Sequence, residues 1–64
     1  NANEFTFGIE IERNQITRAA AAQVLRQDAH PSALEPLRRA AAREPEPWVV
    51  ELMEAAIESI RASS

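Results

Sequence analysis

Cysteine, lysine and tyrosine are missing from these 64 residues, and histidine occurs once, as His30. Without cysteine there are no disulfides and no thiolate metal sites. Without lysine and tyrosine, and with one histidine beside a proline, the inventory for nucleophilic or general acid–base catalysis is poor. Long hydrophobic runs are also missing. The longest aliphatic stretch is the four alanines at 19–22, far short of the ~20 residues that span a bilayer. No basic stretch precedes an apolar one as a secretory signal would require. A soluble, cytoplasmic protein is the expectation.

Shortness itself sets a demand. A chain of this length forms one domain and buries only about 60% of the surface exposed when unfolded. Burial at roughly 25 cal/mol per Å² then barely offsets ordering at about 1–2 kcal/mol per residue. Small domains meet this shortfall with disulfides, metals or a second subunit. Here the second subunit remains, unless the helices pack unusually well.

The seven basic residues are all arginine, and alanines cluster at 19–22 and 40–42. Such coding bias is expected of a GC-rich bacterial genome. A net charge of −3 argues against a nucleic-acid or anionic-membrane partner. Asn1 and Ala2 resemble the scar of a cleaved tag, so residues 1–4 read as a disordered start to a domain excised from something larger.

Residues 5–12 alternate. Phe5, Phe7, Ile9 and Ile11 interleave with Thr6, Gly8, Glu10 and Glu12, which is the period of a half-buried strand. No second alternating segment exists to pair with it. An apolar strand with two open edges calls for another chain, most simply its own copy across a two-fold axis. The other reading is an arm lying on the helices with water satisfying its backbone.

Three helices follow, in residues 13–62. Asn14 caps the first, running to about Gln27, with Ile16, Ala20, Ala21, Val24 and Leu25 spread over half its circumference. Ser32 and Glu35 stand as a capping box for the second, which ends at Glu44 because Pro45 forces its predecessor out of the α region. Pro47 suits the first position of the third, which runs to about Arg61 with Glu46 as a weak cap. The apolar arc of the third helix is wide, taking in Trp48, Val49, Leu52, Met53 and Ile57. One neighbour needs an arc of only about 100°, and the surplus reads as an interface.

Residues 16–60 resemble a HEAT-like repeat of the PBS-lyase type, over about one and a half repeats. Ile16-Thr-Arg-Ala-Ala-Ala-Ala-Gln-Val-Leu25 is similar to a repeat's second helix. Pro31-Ser-Ala-Leu-Glu-Pro-Leu37 is similar to the opening of the next, and Glu44-Pro-Glu-Pro-Trp-Val-Val-Glu51 to its turn. Val50 departs from the pattern, standing where many repeats place a basic residue. The resemblance implies protein binding.

Chemistry adds little. Asp28, His30 and Ser32 crowd into five loop residues without a cavity to arrange them, and His30 reads as an ordinary loop residue. Glu51, Glu54 and Glu58 read as a solvated helix face, and Arg38, Arg39 and Arg43 as the outer face of the second helix. Trp48 reads as core first and interface anchor second. No catalytic residue, cofactor or metal is expected.

The sequence thus predicts a mainly α fold, with an N-terminal β-strand followed by three short amphipathic helices and the strand paired to another chain. The function it predicts is a non-catalytic interaction, oligomerisation or docking module of a larger bacterial protein. Its partner would be a protein, foremost a second copy bound through the strand, with interface residues Phe5, Phe7, Ile9, Ile11, Trp48, Val49, Leu52, Met53 and Ile57. The alternative is a ribbon-helix-helix transcription regulator, which shares the order strand, helix, helix. Against it, Thr6, Gly8, Glu10 and Glu12 would face the duplex, and carboxylates repel phosphates.

Overall fold

A computed structural model describes residues 8–63. The tag-scar reading of residues 1–4, and the interface roles of Phe5 and Phe7, lie outside the described residues.

Residues 8–11 form a helical turn, α1, where the strand expected over 5–12 was to run; residues 5–7 of that strand lie outside the described residues. The Glu12 N–H donates to the Gly8 carbonyl at 2.8 Å, an i→i−4 bond that satisfies the backbone within one copy. A strand with no mate would leave such groups open. The helical turn also separates two residues that alternation had placed together. Two positions apart on a helix means about 200° of rotation. Ile9 accordingly turns inward, 2% exposed, and Ile11 outward, 64% exposed.

Helix α2 spans Gln15–Asp28. Asn14 caps it in extended conformation, its Oδ1 accepting from the Ile16 and Thr17 amides at 2.8 and 3.2 Å. At the far end Ala29 adopts the left-handed region, φ 51°, and its N–H donates to the Leu25 carbonyl. That geometry favours glycine, and an L side chain there costs about 1–2 kcal/mol. Ala29→Gly should stabilise the fold by about 0.5–1 kcal/mol after the extra chain entropy of glycine is deducted. A thermal melt checks this, and a lowered midpoint would contradict it.

A 3₁₀ turn, Pro31–Ala33, leads into α3, Leu34–Arg43. His30 caps the turn through Nδ1, which accepts from the Ser32 amide at 3.1 Å. The expected Ser32/Glu35 capping box is not formed. Pro31 starts a tighter helix first, which moves Ser32 inside the turn, and the N-cap of α3 becomes Ala33, without a side-chain bond. Helix α3 stops at Glu44, extended at ψ 121° before Pro45, and α4 runs Pro47–Ser63 from its proline.

Helix α4 packs against both α2 and α3, which make almost no contact with each other. Its spine is Val49, Met53, Ala56 and Ile60, all 0–1% exposed. Against it lie Ala19, Ala22 and Leu25 of α2 and Leu37 and Ala40 of α3, in one buried cluster with Ile9 and Ala33. The wide apolar arc of α4 is therefore used by two flanking helices. Val49 and Met53, expected at an interface, are wholly buried core residues, and Leu52 and Ile57 are half-buried against the same core. Trp48, expected in the core first, is 45% exposed. No helix of the described residues is long and apolar enough to cross a membrane.

Candidate docking surface

Alanine content sets how α2 sits. Ala19, Ala21 and Ala22 are buried, so the helix lies close to the rest of the fold. Small side chains also leave little apolar contact to fix it there, and polar bonds do part of that work.

Arg18 is the centre of these bonds. Its Nη2 donates to Glu44 Oε2 at 2.8 Å and its Nε to Oε1 of the same carboxylate. Nη1 donates to the carbonyls of Glu12 and Arg13 at 3.0 and 2.8 Å. Glu44 also receives the Glu46 amide at 3.2 Å. One guanidinium thus joins the α1–α2 connection to the α3–α4 corner. The pair is well shielded, with side-chain exposures of 13% for Arg18 and 1% for Glu44. The Arg18 bond, aided by the Glu46 amide, holds the Glu44 carboxyl below the usual range although burial pushes it up. Bidentate arginine–carboxylate geometry is the strong form of such a bond.

A second, exposed set ties α1 to α3. Arg39 donates to both Glu10 carboxylate oxygens at 2.8 and 3.1 Å, and Arg43 to the Glu10 carbonyl at 3.0 Å. The Arg39 bond lowers the Glu10 carboxyl pKa. The expected outward face of Arg38, Arg39 and Arg43 is found, with two of the three reaching back to α1. Glu51, Glu54 and Glu58 are exposed on α4, as expected.

The surface these contacts leave on α2 differs from the other two. Its exposed side chains through the middle turns are Ile16, Thr17, Ala20, Gln23 and Val24. Ile16 is 69% exposed and Val24 44%. Between Arg13 and Arg26 the one ionised residue is Arg18, and it is turned into the Glu44 pair. Beside this face runs a groove of about 460 Å³, lined by Thr17, Ala20, Ala21 and Val24 of α2 and by Gly8, Ile9 and Glu12. Its one carboxylate, Glu12, is engaged by the Asn14 amide at 3.0 Å. An uncharged apolar strip bounded by polar residues is the composition of an interface centre.

Of the residues expected at an interface from sequence, the structure places Ile11 and Trp48 on the surface. Trp48 Nε1 donates to Gln15 Oε1 at 3.2 Å, on the flank of α2 nearest α4. The helical wheel groups Ile16, Ala20 and Val24 with Ala21 and Leu25 on one apolar half, and the structure divides that half, burying Ala21 and Leu25 and leaving the other three exposed. The signal that marks them outward is their spacing i, i+4, i+8, set off from the buried Ala22 and Leu25.

His30 Nδ1 also lies 2.8 Å from Ser32 Oγ. That nitrogen already accepts the Ser32 amide, so the hydroxyl donates into a local turn on an exposed loop. Among the described residues no three of His, Asp or Glu gather as a metal site needs. In comparisons with known proteins the chain matches no family model, no curated protein and no solved structure.

Proposed function

We propose that this chain is a non-catalytic docking module that presents the outer face of α2 to another protein surface. The observation that carries the reading is the contrast between faces. The outward residues of α3 include Arg38, Arg39 and Arg43, and those of α4 include Glu51, Glu54 and Glu58. The outward middle of α2 has no charge and exposes Ile16 and Val24. Depletion of charge around apolar side chains marks the centre of protein interfaces. The likeness of residues 16–60 to a HEAT-like repeat points the same way, since such repeats bind proteins. DNA binding of the ribbon type is not favoured, because residues 8–11 of the required ribbon are helical.

A photo-crosslinking side chain at position 24 tests this, with position 54 on the acidic face of α4 as control. In cells producing the chain, position 24 should give one defined protein adduct, lost with Ile16→Asp, and position 54 none. Equal labelling at both positions, or none at 24, would overturn the reading.

A further inference from the structure

Building on that docking reading, we propose that the partner is a second copy of this chain, the two α2 helices packing antiparallel about Ala20.

The strip is its own complement. Ile16 and Val24 stand four residues either side of Ala20, about 12 Å apart along the axis. Reversing one helix about Ala20 brings Ile16 of each copy opposite Val24 of the other, as an isologous contact requires. Ala20 at the crossing lets the backbones approach closely. Ile16 is the most exposed large apolar side chain of the described residues, and the groove alongside Ala20 and Val24 receives it. Knob and hole belong to one surface.

The charges at the ends agree with the same register. Arg13 stands just before α2 and Asp28 is its last residue. Antiparallel pairing about Ala20 sets Arg13 of one copy over Gln27 and beside Asp28 of the other, twice by symmetry; the same register brings Glu12 opposite Asp28, where the adjacent Arg13 offsets the like charges. There the guanidinium also meets the negative end of the partner helix dipole. In a parallel pair Arg13 would meet Arg13 and Asp28 would meet Asp28. Charge thus selects the antiparallel arrangement.

One helix-on-helix contact falls below the ~1,200 Å² of ordinary stable complexes, so the dimer belongs in the high-micromolar range. Sedimentation equilibrium of the 64-residue chain, from tens of micromolar to about 1 mM, should show a monomer–dimer equilibrium. Ile16→Asp should abolish it while leaving the helical circular dichroism unchanged, since Ile16 is 69% exposed. Arg13→Asp should weaken it about fivefold, and adding Asp28→Arg should restore it. A monomer throughout overturns self-pairing, as does a dimer indifferent to Ile16→Asp. If the chain stays monomeric but position 24 still crosslinks to one other protein, the docking reading stands and the self-partner fails.

Discussion

Met53→Ala should leave the domain largely unfolded at 37 °C. Met53 is 0% exposed in the middle of α4, the helix that carries both of the others. Truncating a buried methionine to alanine costs about 2–5 kcal/mol, the larger values where the surroundings cannot collapse into the space. Collapse is hindered here because α2 and α3 are held apart by the single helix between them. The whole stability of 64 residues is only roughly 3–10 kcal/mol, so one such loss takes a large part of it. Urea melts followed by far-ultraviolet circular dichroism measure the effect. Leu52→Ala, at a half-buried position one residue away, should cost clearly less. Equal midpoints for Met53→Ala and the parent chain would mean that α4 is not the spine of the core.

The second large effect lies at Glu44. Removing one member of a buried ion pair costs about 3–5 kcal/mol when the other is stranded. After Glu44→Ala, Arg18 keeps some exposure and two carbonyl acceptors, so about 2–3 kcal/mol is expected. The same pair gives the fold an acid limb. The folded-state pKa of Glu44 is lowered from an ordinary value of 4.5. Below that ordinary value the unfolded chain takes up the proton first, which favours unfolding. The contribution is complete above about pH 4.5 and is lost as pH falls through the folded value. Glu44→Gln should therefore flatten the fall in urea midpoint below pH 4.5. An unchanged acid limb would show that Glu44 is not ionised against Arg18 in the folded chain. Trp48, the only tryptophan, reports the same event by fluorescence, because its indole is bonded to Gln15 at the start of α2.

The helices were legible because their limits are set by neighbours in sequence. Asn14 caps through amides two and three residues on. Pro45 forces Glu44 out of the helix, and Pro47 begins the next with its φ already set. The failures share a different cause. Alternation over 5–12 suits a strand only if another strand lies beside it, and residues 8–11 coil instead, burying Ile9 and bonding Glu12 to Gly8. The wide arc of α4 looked like surplus because the sequence does not say that one helix will serve two neighbours.

The bond from Arg18 to Glu44 spans 26 residues, and no local pattern joins them. Arg18 lies on the side of α2 that buries Ala22 and Leu25, and the uncharged Ile16, Ala20 and Val24 are left outside. From its sequence alone the chain determined the start of α2 at Asn14, the break between α3 and α4 at Pro45 and Pro47, its net charge and its lack of cysteine chemistry. Each depends on residues within a turn of one another or on composition. Which apolar residues face inward, what Arg18 neutralises, and whether Ile9 is edge or core were decided by tertiary packing. Those outcomes rest on which helix lies beside which, and short-range forces along the chain do not specify that.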